Sequence, residues 1–287
     1  MSGEVLSHEL PLQTVIEITK SHEIYNFELW AQNCEETASN AHPRLYSNRD
    51  VKKAQNQFAH AGLHVACVAF GGAFHQEIAC DEERYVREFI LAIELASELG
   101  AEIVNHYCNL ISPGFHLDFD ILKRYFSRPL KRAEELGVTL VLENEAHDVT
   151  HRPENVWKIV DYFRSTHFRT NFDVTNYYQA SNEAFPYAYE IVKDIIGYVH
   201  IKNGRIADYQ KDALSPWLGG KMSGFNDMHH IVYTPPTAGA VNVIGLLDKL
   251  KQDKYEGYIA LEPHSSVANV FAYYQNAIPL LRNMGYF

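Results

Sequence analysis

The chain has 287 residues and a formal net charge of −11 at pH 7; 46% of its residues are hydrophobic and 21% charged, the balance of a water-soluble globular protein. The acidic excess argues against nucleic acid and anionic membrane surfaces as partners, since both recruit basic patches. No apolar run approaches the roughly 18 residues that suggest a membrane span.

The length suits one α/β barrel, which takes about 250 residues, and a single domain over residues 1–287 is expected. Cys34, Cys67, Cys80 and Cys108 form no C-x-x-C pair, so neither a structural zinc nor a redox motif is indicated. The opening MSGEVLSHELP lacks the basic and apolar segments of a signal peptide, and a cytoplasmic location is expected.

In chain order, a short run at residues 4–7, centred near Val5, is the one candidate for a first strand. A helix at 12–21 and a strand at 23–29 follow, the latter ending close to Glu28 and Trp30. Residues 63–70 (LHVACVAF) and 102–107 (EIVNHY) read as further strands. Between them, residues 82–99 carry apolar side chains at helical spacing, with Asp81 placed to cap the start and Gly100 the end. A similar helix at 119–136 ends at Gly137, with Pro129 expected to kink or divide it. Pro153 opens a helix to about Phe163, and residues 242–251 and 267–283 supply the last two.

Four strand-like runs mark the second half: 138–143 (VTLVLE), 168–173 (FRTNFD), 197–200 (GYVH) and 257–262 (GYIALE). Strand–helix alternation predicts a parallel sheet, here a single (β/α)8 TIM barrel with a short or irregular first strand. A weakly covered first strand favours a homo-oligomer. The long segment at 206–241, without periodicity, reads as a lid over the active face, with Trp217 or Phe225 closing its apolar side. Gly219-Gly220-Lys221 within it is a weak phosphate-cradle signal.

The four runs end in Glu143, Asp173, His200 and Glu262. In a parallel barrel all strand carboxyl ends open on one face, so these four side chains converge. Any one of them alone reads as a helix cap or a satisfied polar group; four on successive strand ends do not. Three clustered carboxylates repel one another unless a cation joins them. Oxygen and imidazole donors without sulfur suit one divalent ion: Mn²⁺, Mg²⁺, Co²⁺ or Zn²⁺. His106, ending its strand, either lines the pocket or is a buried histidine bonded to backbone. Trp30 either stacks on a sugar face or packs at the rim. Glu145 and His147 either orient ligands or are loop residues.

The segments LVLENEAH, TNFDVTNYYQA, YVHIKN and YIALEPH, with YNFELW upstream, resemble the xylose isomerase-like TIM-barrel superfamily. That group includes ketose 3-epimerases, hydroxypyruvate isomerases, inosose dehydratases and 3-dehydroshikimate dehydratases, with endonuclease IV more distant. The resemblance covers residue 62 to the end and is best at 138–200. It implies one divalent metal held by Glu143, Asp173, His200 and Glu262. Glu262-Pro263 is similar to the ketose 3-epimerases, and His200-x-Lys202-Asn203 to dehydratase-like members. Asn176 stands where many members have a substrate-contacting histidine; an amide can bond a hydroxyl but cannot shuttle protons. Arg205 lies one residue short of the offset at which the epimerases place a substrate-contacting arginine.

The expected activity is isomerisation or epimerisation of a small sugar, keto-sugar or polyol-like carbonyl compound by proton transfer beside a carbonyl held at the metal. Glu143 and Glu262 are expected to move the protons, Asp173 and His200 to act as ligands, and Lys202 either to hold the developing oxyanion or to point to solvent. His106, Asn176, Lys202, Arg205 and Trp30 form the expected substrate-binding set. The alternative is a metal-dependent dehydratase of an inosose- or dehydroshikimate-like compound, which shares the first proton abstraction. A nuclease conflicts with the charge of −11, and a non-enzymatic binding barrel conflicts with the intact ligand quartet.

Overall fold

The strands pair side by side in the order in which they occur, and helices fill the intervals. The computed structural model describes residues 1–4, 10–30, 51–71, 79–108, 111, 116–212, 231–264 and 267–286. The strands are β1 (Asn26–Trp30), β2 (His64–Phe70), β3 (Ile103–His106), β4 (Thr139–Glu143), β5 (Phe168–Asp173), β6 (Ile196–Ile201), β7 (Asn203–Ile206), β8 (Ile231–Thr234) and β9 (Ile259–Leu261). Seven of them form one parallel sheet, ordered β1-β2-β3-β4-β5-β6-β9.

The gap between β1 and β9 is bridged by the first three residues. Ser2 N–H donates to Leu261 O at 3.0 Å, Glu28 N–H to Met1 O at 2.9 Å, and Gly3 N–H to Glu28 O at 3.1 Å. Ser2 also forms a parallel bridge with Glu28. Met1–Gly3 thus take the place of an eighth strand, pairing on the amino-terminal side of the expected run at 4–7. Val5 lies outside the described residues.

The main helices are α1 (Leu12–Ser21), α2 (Val51–Ala61), α3 (Glu82–Leu99), α4 (Phe119–Leu136), α5 (Pro153–Phe163), α6 (Val174–Gln179), α7 (Val243–Gln252) and α8 (Val267–Asn283). The expected caps are in place. Asp81 accepts the Arg84 N–H, and Gly100 and Gly137 end α3 and α4 at φ 73° and 71°. Pro129 does not divide α4. One lost backbone bond is outweighed by the apolar face that Leu122, Tyr125, Phe126, Leu130 and Ala133 bury together with the proline.

The twofold alternation of each strand sorts side chains into two regions. Outward-facing residues such as Val68, Phe70, Val104, Leu140, Leu142, Phe172 and Val199 join the large core beneath the helices. Inward-facing Cys67, Ile103, Val141, Tyr198 and Ala260 form a small apolar plug inside the barrel. Two residues further along four of these strands, the inward positions become polar: Asn105, Glu143, His200 and Glu262, while Cys67 is followed by Ala69. That change of character sets the site at the carboxyl end.

Part of the expected lid segment lies among the described residues. β7 and β8 pair antiparallel as a hairpin, with Gly204 opposite Tyr233. Residues 213–230, with Trp217, Phe225 and Gly219-Gly220-Lys221, lie outside the described residues. Among the described residues no helix is long and apolar enough to cross a membrane.

Candidate metal centre

Each putting of an acid or imidazole at a strand end follows from the inward phase of that strand. Glu143 is the last residue of β4 and Asp173 the last of β5; His200 lies one residue before the end of β6, and Glu262 directly follows β9. All four are at most 2% exposed. One donor atom from each lies within 4.8 Å of all the others. His200 Nδ1 is 3.1 Å from Glu262 Oε1, 3.4 Å from Glu143 Oε1 and 4.0 Å from Asp173 Oδ2.

The donor set fits a divalent ion. His200 Nδ1 is buried and completes no hydrogen bond, although three carboxylate oxygens converge on it. The opposite nitrogen, Nε2, is fixed by Glu28 Oε2 at 2.8 Å. A carboxylate behind a ligand imidazole orients the ring and strengthens the free nitrogen as a donor. Glu28 is itself held: its Oε1 accepts from Trp30 Nε1 at 2.7 Å and Ser2 Oγ at 3.0 Å.

The sequence model of the family described as xylose isomerase-like TIM barrel matches residues 16–284. The chain belongs to this family. No curated protein matches it in sequence. Solved structures share the fold at low identity. A D-tagatose 3-epimerase-like protein is 20% identical, with a TM-score of 0.66 over 99% of this chain and 95% of its own. A probable 3-DHS dehydratase from Bacillus anthracis is 12% identical, with a TM-score of 0.68 over 98% and 97%. A xylose isomerase-like TIM-barrel protein from Mycobacterium smegmatis, solved in complex with magnesium, is 15% identical, with a TM-score of 0.67 over 96% and 90%.

In this member of the family, Lys202 points inward. Its Nζ lies 2.7 Å from Asp173 Oδ2 and 2.6 Å from Glu262 Oε2. Burial opposes a charge on Lys202, but Asp173, Glu262 and Glu143 hold its pKa well above the usual range. His200 is likewise held well above its ordinary pKa by Glu262, Glu28 and Glu143, against the cost of burial. The two glutamates diverge: burial raises Glu143, whereas His200 and Lys202 overcome burial and hold Glu262 well below the carboxylate range. Two positive side chains thus offset the clustered acids wherever no cation does so.

The rest of the expected substrate set divides. Asn176 joins the site, its Nδ2 donating to Glu143 Oε1 at 3.3 Å and to Asn144 O at 3.0 Å. Trp30 is 2% exposed and uses its indole N–H on Glu28 and Ser2, so it packs at the rim and braces the carboxylate behind His200. His106 does not line the pocket. Its ring lies 5.0 Å from Phe89, 4.8 Å from Phe126 and 5.4 Å from Phe168, on the helix side of the sheet. It sits one residue out of phase with inward-facing Asn105. Arg205 also stays away: it is 44% exposed and pairs with Asp212 at 2.6 Å. In a hairpin strand outside the barrel, the offset that aligns an arginine with the pocket no longer holds.

Four further residues belong to the site. Asn105 Nδ2 and Asn171 Nδ2 donate to Glu143 Oε2 at 2.7 and 3.0 Å. His264 Nε2 lies 3.1 Å from Glu4 Oε2, 3.4 Å from Glu262 Oε2 and 3.3 Å from Lys202 Nζ. Glu145 is near enough to Glu143 that burial and that negative charge push its carboxyl well above the usual range, and it faces His147 at 3.5 Å. Strand phase was the available signal for Asn105, Asn171 and Glu28, each an even number of residues from an inward neighbour. No spacing rule reaches His264 or Glu4, which come from loops.

Proposed function

We propose that this chain is a divalent-metal-dependent isomerase or epimerase of a small sugar, keto-sugar or related polyhydroxy carbonyl compound. The observation that carries the reading is the convergence of Glu143, Asp173, His200 and Glu262 on one point at the carboxyl end of the barrel. Family membership and epimerase-like structural neighbours support it. Mn²⁺, Mg²⁺, Co²⁺ or Zn²⁺, held by those four side chains, supplies Lewis-acid polarisation of the substrate carbonyl when bound.

The remaining chemistry belongs to the side chains. Glu143 and Glu262 come from strands separated in the sheet by β5 and β6, so they approach a bound substrate from different sides. One removes a proton beside the carbonyl and the other returns one. Asp173 and His200 serve as ligands. Lys202, already inside the cluster, places an ammonium where negative charge develops on oxygen. Asn176, whose Nδ2 donates to Glu143, bonds a substrate hydroxyl in this reading.

The test is a panel of ketoses, inososes and dehydroshikimate with Mn²⁺, analysed by mass and by solvent deuterium uptake. Epimerisation or isomerisation leaves the mass unchanged apart from deuterium, whereas a product lighter by one water assigns the dehydratase chemistry instead. Glu143→Gln and Glu262→Gln are each expected to lower turnover by about 10²–10⁴. Unchanged turnover and exchange in both metal-loaded variants would overturn the two-base scheme.

A further inference from the structure

Each carboxylate of the cluster has one oxygen engaged by protein donors and a second that faces His200 Nδ1. Glu143 Oε2 accepts from Asn105 Nδ2 and Asn171 Nδ2 at 2.7 and 3.0 Å. Asp173 Oδ1 accepts the Thr175 and Asn176 N–H groups at 2.8 and 2.7 Å, capping α6. Glu262 Oε2 accepts from Lys202 Nζ at 2.6 Å and faces His264 Nε2 at 3.4 Å. The other oxygens, Glu143 Oε1, Asp173 Oδ2 and Glu262 Oε1, surround His200 Nδ1, and Glu143 Oε1 also accepts a longer bond from Asn176 Nδ2 at 3.3 Å. Asp173 Oδ2 is also shared with Lys202 at 2.7 Å, so that oxygen is contested.

The amide pair under Glu143 is the least expected part. Asn105 and Asn171 are fully buried inside the barrel, one step above the apolar plug of Cys67, Ile103, Val141 and Tyr198. Asn171 Nδ2 also donates to Asn105 Oδ1 at 3.2 Å, and Asn105 Nδ2 to the Tyr107 hydroxyl at 3.1 Å. Buried amides are costly unless their hydrogen bonds are made, and their shared acceptor is Glu143 Oε2.

We infer that these outer bonds restrict the three carboxylates to one ligand oxygen each, so that the centre selects small cations such as Mn²⁺, Co²⁺ or Zn²⁺ over the larger Ca²⁺, with Asn105 and Asn171 setting that choice at Glu143. This rests on the metal-dependent reading above. Ca²⁺ gathers six to eight oxygens and gains from carboxylates that bind through both. For Glu143 to offer both, two buried amide N–H groups must lose their acceptor. For Asp173 to do so, a helix start must lose its cap. Three oxygens and one imidazole nitrogen instead suit smaller ions, which need fewer protein ligands than Ca²⁺.

Metal-stripped protein is titrated with Mn²⁺ and separately with Ca²⁺, with dissociation constants read by calorimetry and by the Mn²⁺ electron paramagnetic resonance signal. The wild type is expected to bind Mn²⁺ more tightly than Ca²⁺. Asn105→Leu and Asn171→Leu are expected to lose about 10–100-fold in Mn²⁺ affinity while Ca²⁺ affinity holds or rises, so that the ratio narrows. Asn171→Ser, which keeps a small donor, is expected to fall between, and it carries the test if the leucine variants do not fold. A wild type that binds Ca²⁺ as tightly as Mn²⁺ overturns the proposal. So does an equal loss for both ions in the variants, which marks a merely structural role. If neither ion binds the wild type, the metal-dependent reading itself fails; Mn²⁺ binding with the wrong ratio sinks only the selectivity.

Discussion

At the residue scale, His200 is positioned by a chain of three contacts: Ser2 and Trp30 hold Glu28, and Glu28 holds Nε2 at 2.8 Å. Removing the carboxylate charge while keeping the shape tests the chain directly. Glu28→Gln is expected to weaken Mn²⁺ binding by about 10–100-fold, measured by calorimetry on metal-stripped protein, with the helical content unchanged. Unaltered affinity would show that ring orientation does not depend on Glu28. The same residue shows what the sequence made legible. Glu143, Asp173, His200 and Glu262 stand out because each closes an apolar run. Glu28 lies within NFELW, two residues before Trp30 and on the same face of β1, but nothing local says that the face points at an imidazole from residue 200. His106 shows the converse: a strand-end histidine attracts notice, yet strand phase turns Asn105 inward and His106 toward Phe89 and Phe126.

At the scale of elements, the turn after β4 carries a pH dependence of its own. Asp148 caps it, accepting from Thr150 N–H at 2.6 Å and Thr150 Oγ1 at 2.5 Å, and Cys108 Sγ lies 3.7 Å from its second oxygen. Burial pushes Asp148 from its ordinary 3.8 up to about 6 despite these bonds. The folded state therefore binds this proton more tightly than the unfolded chain does. The stabilisation is complete below pH 3.8 and is lost as pH rises through about 6. The span of about two pKa units corresponds to roughly 3 kcal/mol. Asp148→Asn cannot ionise yet keeps an acceptor for Thr150. Its Tm relative to wild type is expected to be more favourable at pH 8 than at pH 4.5, by calorimetric melts at both values. An identical difference at the two pH values would remove Asp148 as the cause. Helix caps and strand runs were legible because each is written in a few adjacent residues. The β7–β8 hairpin was not: its two four-residue strands are separated by a long intervening segment, and Arg205 sits in it rather than in the pocket.

At the scale of the whole molecule, closure and charge meet in the same place. Met1–Gly3 join β1 to β9, and Ser2 also bonds to Glu28, so the seam of the barrel and the support of the candidate metal centre share residues. Three bonds in so short a segment leave no periodic pattern, which is why the position of this first strand could not be read in advance. Inside the barrel, Glu28, Glu143, Asp173 and Glu262 are offset by His200 and Lys202, both held protonated by their neighbours. A cation bound at His200 Nδ1 requires that nitrogen to be neutral. With Nε2 bonded to Glu28, the carboxylates around His200 raise its pKa and favour its protonated form, so an ion at Nδ1 would compete with a proton. Mn²⁺ binding at pH 7 is therefore expected to release about one proton, visible as a buffer-dependent calorimetric enthalpy, and affinity is expected to rise with pH. The same linkage links metal to stability across the barrel. At about a thousandfold excess of Mn²⁺ over its dissociation constant, the folded state gains about 4 kcal/mol, a rise in Tm on the order of 10 °C over chelator-treated protein. A melting temperature indifferent to Mn²⁺ concentration, or binding that releases no proton, would mean that His200 is not a ligand and that Lys202 and His200 alone balance the acids.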